Sequence, residues 1–181
     1  MSHFSHYLSA LEQAIMQFGW QTEVMLDAQQ STWSYQRFLS TAVAYQPLYT
    51  SVTVNNKIGL LLPNHPSSLA CLFSAWLSER SVGMLNITSG ASGIRSACQV
   101  AGISFIISRR TFLQAIGAEH LVSELQDVSW LWLDEVTEIP LLADVSVAPM
   151  ITQVTTTLDD EAVVLFTSGS EGMPKGVSLS H

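Results

Sequence analysis

Between Leu165 and His181 the chain reads Leu165-Phe-Thr-Ser-Gly-Ser-Glu-Gly-Met-Pro-Lys-Gly-Val-Ser-Leu-Ser-His181. Gly169, Gly172 and Gly176 permit backbone angles that other residues resist, so backbone amides can come close to a ligand. Thr167, Ser168 and Ser170 add hydroxyls, and Lys175 adds a cation. Amides, hydroxyls and a lysine on a tight turn form a cradle for an oxyanion, most simply a phosphate. Lysine is scarce elsewhere: Lys57 is the only other one in the chain. An ordinary Gly/Ser hairpin turn with a solvated lysine is the alternative that composition leaves open. Two familiar phosphate loops do not fit. A Walker A loop needs G-x-x-x-x-G-K-[ST], but here Pro174 precedes Lys175 and Gly176 follows it. The dinucleotide fingerprint G-x-G-x-x-G is absent from the chain.

Such a loop must be carried by a framework, and the hydrophobic pattern supplies one. Ile58–Leu62, Val82–Leu85, Ile103–Ile107, Trp130–Leu133 and Ala162–Phe166 are short apolar runs of the kind buried on both faces of a sheet. Helical patterns stand between them. Leu69, Leu72, Phe73, Trp76 and Leu77 share one face, with Pro66 in the first turn. Gly93–Val100 is a second helix closed by Gly102, and Thr111–Leu125 a third. Strand and helix alternating at this pitch predict βαβ units, and so an α/β fold with a mostly parallel, Rossmann-like sheet and helices on both faces. Upstream, residues 3–18 are weakly helical. Residues 32–35 read as a strand turning into a helix, with Ser34 as N-cap and Pro47 at or beyond the helix end. The expected organisation is a lead-in segment, 1–50, and an α/β subdomain, 51–181, that ends in the phosphate-loop hairpin. Residues 134–157 lack a clear period and read as a connecting loop.

Composition narrows the function. The chain has 181 residues, 48% apolar and only 12% charged, the opposite of a disordered segment. A net charge of -8 argues against nucleic acid as a partner and against a polybasic membrane-surface segment. The N-terminus lacks the basic and apolar regions of a signal peptide. The charge-free stretch from Ile58 to Ser78 is broken by Pro63 and Pro66, so it reads as strand, turn and helix and not as a membrane span. Cys71 and Cys98 are too few for a disulfide framework and read as reduced core thiols of a cytoplasmic protein. No zinc spacing joins His3, His6, His65, His120 and His181, and no metal ligands are assigned. His65 reads as a helix cap and His181 as structural. A nucleophile elbow, G-x-S-x-G, is missing, which disfavours a serine hydrolase. Arg109-Arg110, after the third strand, reads as a solvated strand end, with an anion site as the less favoured reading.

The segment Phe166-Thr-Ser-Gly-Ser-Glu-Gly-Met-Pro-Lys-Gly-Val177 resembles the signature phosphate loop of the acyl-adenylate-forming superfamily, roughly aromatic-T-S-G-[ST]-T-G-x-P-K-G-V. The departure is Glu171, where most members have Thr. The Ser-Glu-Gly variant, with Leu61-Leu-Pro-Asn64, Met84-Leu-Asn86, Thr88-Ser-Gly90 and Ile107-Ser-Arg109, most resembles the acyl-acyl-carrier-protein synthetase, or 2-acylglycerophosphoethanolamine acyltransferase, branch. The resemblance runs from about Thr32 to His181, specific at the loop and softer upstream.

The resemblance implies a two-step reaction. A fatty acid attacks the α-phosphorus of MgATP, giving an acyl-adenylate and pyrophosphate. A thiol of acyl carrier protein or coenzyme A then takes the acyl group, with a lysophospholipid as a further acceptor in this branch. Thr167, Ser168, Gly169, Ser170, Gly172 and Lys175 would hold the β- and γ-phosphates, and Lys175 would be the catalytic cation on the leaving group. Glu171 joins this set as its odd member, since a carboxylate repels phosphate unless it turns away or engages Mg²⁺. In the superfamily the base, ribose and acyl sites lie beyond this loop, so the chain is expected to be the N-terminal portion of the large domain, inactive by itself and partnered by the missing C-terminal part. The expected location is the cytoplasm, with the parent protein bringing it to the cytoplasmic face of the inner membrane. A naturally short nucleotide-binding or interaction module is the alternative.

Overall fold

The structure, a computed structural model, describes residues 7–50, 57–139, 141, 154–167 and 174–181. The element order is α1 (Tyr7–Phe18), β1 (Glu23–Leu26), β2 (Thr32–Ser34), α2 (Tyr35–Thr50), β3 (Lys57–Leu60), α3 (Pro66–Leu77), β4 (Ser81–Met84) and α4 (Gly90–Ala101). Then come β5 (Phe105–Ser108), α5 (Arg110–Ala115), α6 (His120–Glu124), β6 (Ser129–Trp132), β7 (Glu161–Thr167) and β8 (Lys175–Ser180). The main sheet has six strands in the order β6-β5-β3-β4-β7-β8. Every pairing in it is parallel except β7 with β8. β1 and β2 form a separate antiparallel ribbon.

Both faces of the sheet are covered over its central strands, while β8 at one edge is exposed along its length. Successive strand residues point to opposite sides, so a strand buried on both must be apolar throughout. Ile107 and Leu60 join one core with Leu8, Leu39, Tyr45 and Trp76, which come from α1, α2 and α3. Their chain neighbours Ile106 and Leu61 join the other core, with Ile94, Leu113 and Leu121 from α4, α5 and α6. Cys71 and Cys98 are free and buried, and burial pushes both thiols up to about 12. At neutral pH they are uncharged core side chains. Within the described residues, no helix is long and apolar enough to cross a membrane. The stretch from Ile58 to Ser78 is β3, a turn and α3.

Several local expectations hold. Ser34 Oγ accepts from the Arg37 amide at 3.3 Å at the start of α2. His65 caps α3, its Nδ1 accepting from the Ser67 amide at 3.1 Å. Gly102 ends α4 at φ 69°.

Others need correction. Pro47 does not end α2; it lies inside, and the helix runs on to Thr50. A proline there costs one helical hydrogen bond, yet Tyr49 is fully buried and its hydroxyl donates to the Cys71 carbonyl at 2.6 Å. That tertiary anchor holds the last turn. The single helix expected over 111–125 is two, α5 and α6. Gly117 takes φ 65°, its amide bonds Gln114 O at 3.1 Å and the Ala118 amide bonds Leu113 O at 2.8 Å. This is a Schellman stop. Helix α3 ends at Leu77, again by a Schellman pattern, with Glu79 at φ 54° and the Arg80 amide on Ala75 O at 2.9 Å. A glutamate is tolerated in this left-handed position while its carboxylate accepts from the Thr155 amide at 2.7 Å and from the Thr155 hydroxyl. The strand β1 was not foreseen; it is short and its side chains are mostly exposed. His3 and His6 lie outside the described residues.

Candidate active site

The five strands β3 to β7 run parallel, so their C-terminal ends line one rim of the sheet. Ligands of open α/β sheets bind outside that rim. The segment 168–173 joins the rim end of β7 to the start of β8. Thr167 pairs with Lys175 and Phe166 with Gly176, so the hairpin closes directly below the segment. The Thr167 hydroxyl sits 3.5 Å from the Lys175 carbonyl oxygen. Both residues are exposed, and no carboxylate among the described residues pairs with Lys175. Of the predicted phosphate ligands, the structure therefore brings Thr167 and Lys175 together at the neck of the hairpin. Ser168, Gly169, Ser170, Glu171 and Gly172 lie outside the described residues.

Packing fixes the hairpin from below. The Phe166 ring lies over Gly83 of β4: a Cβ there would stand 3.3 Å from Phe166 and 2.4 Å from Ile103 Cδ1. Glycine at 83 thus leaves the space into which the aromatic residue of the motif packs. At the far end of the hairpin, Glu161 accepts from Ser178 Oγ at 2.6 Å and pairs with Lys57 Nζ of β3 at 2.7 Å. That ion pair reaches across β4 and ties the hairpin to the centre of the sheet. Burial raises the Glu161 pKa, but hydrogen bonds from Lys57, Ser178 and Ser81 and the Lys57 charge outweigh it and hold the group below the usual glutamate value.

A folded-state pKa below the unfolded one stabilises above the unfolded value and is lost as pH falls through the folded value. Glu161→Gln is therefore expected to lower Tm at pH 7 and to approach the wild type as pH drops below the ordinary carboxylate range. Thermal melts across pH 3–7 check it; a Tm deficit that does not shrink with acid would remove the ion pair as its cause.

His181 has a structural setting, as expected. Its amide reaches Asp160 O at 3.3 Å, and its ring lies 5.2 Å from that of Trp76 and 5.6 Å from that of Tyr7. A cleft of about 740 Å³ lies beside it, lined by Lys57, Glu79, Ser81 and Glu161. These residues mark the N-terminal ends of β3, β4 and β7, the rim opposite the hairpin loop, and Lys57 there is already neutralised by Glu161. It is not where the phosphate chemistry would sit. The described residues contain no cluster of three or more His, Cys, Asp or Glu that could hold a metal.

Of the two arginines after β5, Arg110 is exposed, as expected of a solvated strand end, and Arg109 is not. Arg109 Nη2 donates to Tyr45 Oη at 2.9 Å and to Ser67 Oγ at 3.3 Å. Arg110 stacks over Trp132 at 4.2 Å and pairs with Glu135 at 3.3 Å. The sequence signal was present, two arginines after a buried strand, but nothing local in it points to Tyr45 and Ser67 as partners.

The AMP-binding enzyme family model matches residues 11–181. The chain belongs to that family. Solved structures agree in fold. VinN in complex with 3-methylaspartate superimposes with a TM-score of 0.74 at 22% identity, over 98% of this chain and 48% of that one. The O-succinylbenzoate coenzyme A synthetase MenE from Bacillus subtilis, in complex with AMP, gives 0.69 at 17% identity, over 98% of this chain and 42% of that one. The N-terminal subdomain of Klebsiella oxytoca NpsA gives 0.74 at 16% identity, over 99% and 43%. The chain thus spans less than half the length of each of these proteins.

Proposed function

We propose that this chain is the N-terminal portion of an ATP-dependent acyl-activating ligase. The observation that carries the reading is the β7–β8 hairpin: it presents Thr167 and Lys175 at the ligand-binding rim of a chain that belongs to the AMP-binding enzymes. In this reading a carboxylate oxygen of the acid attacks the α-phosphorus of ATP. The bond from that phosphorus to pyrophosphate breaks, and an acyl-adenylate forms. A thiol sulfur then attacks the acyl carbon and AMP leaves. The part of this chain is to hold the β- and γ-phosphates with Thr167, Ser168, Gly169, Ser170 and Gly172. Lys175 offsets the charge that grows on the departing pyrophosphate. ATP fits these residues, because an exposed lysine without a carboxylate partner among the described residues stands beside a hydroxyl. Mg²⁺ would arrive with ATP on its phosphates, and Glu171 is the one carboxylate of the loop that could meet it.

The finer reading is a fatty acid as the acid and acyl carrier protein or coenzyme A as the thiol, with onward transfer to a lysophospholipid. It rests on the Ser170-Glu-Gly172 variant and the matching upstream segments. The cytoplasmic face of the inner membrane is the location that fits such a substrate.

ATP–pyrophosphate exchange tests the proposal. The longer ligase carrying this segment is expected to exchange label in the presence of fatty acids. The 181-residue chain alone is expected to show none, because it spans less than half of the related structures. Exchange by the longer protein with every acid except fatty acids would leave the ligase and remove the fatty acyl assignment. Substantial exchange by the 181-residue chain would overturn its reading as a portion of a larger catalyst.

A further inference from the structure

A second cationic crevice opens on the same rim, away from the hairpin. Strand β3 passes through α3 to β4 on one side, whereas its neighbour β5 passes through α5 and α6 to β6 on the other. Connections that leave two adjacent parallel strands in opposite directions open a crevice at their C-terminal ends, and α/β folds bind ligands in such crevices. Here the crevice is real: a cavity of about 460 Å³, lined among others by Trp33, Arg37, Tyr45, His65, Ser67 and Arg109. It lies two to three strand spacings from β7, roughly 10–14 Å, so it is separate from the hairpin site.

Its charges are unevenly matched. Arg109 is part-buried, and its nearest carboxylate is Asp134 at 4.0 Å. Asp134 is committed elsewhere: it accepts from the Arg110 amide and, at 3.0 Å, from the Thr111 hydroxyl, capping α5. The firm partners of Arg109 are the neutral hydroxyls of Tyr45 and Ser67. Arg37 lies 4.1 Å over the Trp33 ring and donates to Thr32 O at 3.0 Å, with no ion pair among the described residues. The other carboxylate nearby, Asp27, accepts from the Gln29 and Ser31 amides at 3.0 and 2.8 Å and stands 3.8 Å from His65 Nε2. Burial holds the His65 ring below the usual histidine value; Asp27 pulls it up, while Arg109 and Arg37 push it further down.

A half-buried guanidinium whose hydrogen-bond partners are neutral hydroxyls, and whose one carboxylate neighbour stands at 4.0 Å, is offset only in part and gains from a closer anion. Guanidinium groups match phosphate in fork geometry, and the Tyr45 hydroxyl can turn to donate to the same oxygens, while Ser67 Oγ is held 2.8 Å from His65 Nδ1. We propose that this crevice is a second anion site, built to take the phosphomonoester group of a small ligand. The site is independent of the ligase reading and goes beyond it.

Calorimetric titration of the 181-residue chain with inorganic phosphate, AMP and adenosine, at constant ionic strength, tests it. Phosphate and AMP are expected to bind saturably and adenosine not to bind. AMP tighter than phosphate assigns the ligand to a nucleotide; equal affinity assigns it to phosphate alone. Either result supports the site. Arg109→Lys keeps the charge but loses the fork, and Arg37→Ala removes an exposed guanidinium without opening the core. Each is expected to weaken phosphate binding by roughly tenfold, with Arg95→Ala, which removes a guanidinium paired with Asp127 outside the crevice, leaving it within about twofold. The proposal is overturned by no saturable binding up to roughly 10 mM phosphate. It is equally overturned by binding that Lys175→Ala abolishes and that Arg109→Lys and Arg37→Ala both retain.

Discussion

In the longer ligase to which we assign this segment, Lys175→Ala is expected to lower kcat/KM for adenylation by roughly a hundredfold to a thousandfold. The reason is the character of the step. Pyrophosphate gathers negative charge as it leaves, so a fixed cation beside it gains most in the transition state. Thr167 and Lys175 face each other across the hairpin, and no acidic side chain among the described residues neutralises the ammonium. Lys175→Arg keeps the charge and is expected to recover part of the loss. Single-turnover formation of acyl-adenylate separates this effect from thiol transfer. An adenylation rate unchanged in Lys175→Ala would take the phosphate role away from the hairpin.

Trp76→Ala is expected to be the most damaging single change to stability, at about 3–5 kcal/mol, read from the denaturant midpoint. Trp76 is 5% exposed. Its indole stacks on Tyr7 at 5.0 Å and meets Phe73 at 4.8 Å and His181 at 5.2 Å. Its Nε1 donates to the Ala162 carbonyl at 3.1 Å. One side chain thus joins α1, α3, the start of β7 and the residue after β8. Truncation leaves a large cavity and removes a hydrogen bond to the base of the hairpin. Trp76→Phe keeps most of the volume and is expected to lose about 1 kcal/mol. Equal losses in the two variants would mean that the hydrogen bond, and not packing, carries the effect.

Much of this protein was legible in order along the chain. Strands buried on both faces must be apolar at consecutive positions, and so Ile106-Ile107 and Leu60-Leu61 announce themselves without a structure. Caps and stops are equally local: His65 ahead of Pro66, Ser34 ahead of α2 and Gly102 behind α4 act on amides and carbonyls a few residues away. The motif between Phe166 and Val177 is readable for the same reason, since its residues are consecutive in the chain.

What the chain did not disclose depends on partners distant in sequence. Pro47 argues for a helix end, and only the anchoring of Tyr49 on Cys71 carries α2 past it. Gly117 was a local signal passed over, because the apolar period on either side of it looked continuous. Glu79 holds a left-handed turn through Thr155, and Lys57 reaches Glu161 over an intervening strand; neither pairing has a trace in spacing. Arg109 is the strongest case. Its residue type and position after β5 were plain, but its role depends on whether water or neutral hydroxyls surround the guanidinium. Composition determined that this chain folds, and strand–helix alternation determined which α/β frame it folds into. The environment of each charge was decided by strand order, because only the order β5-β3-β4 brings Arg109 beside Tyr45 and Ser67.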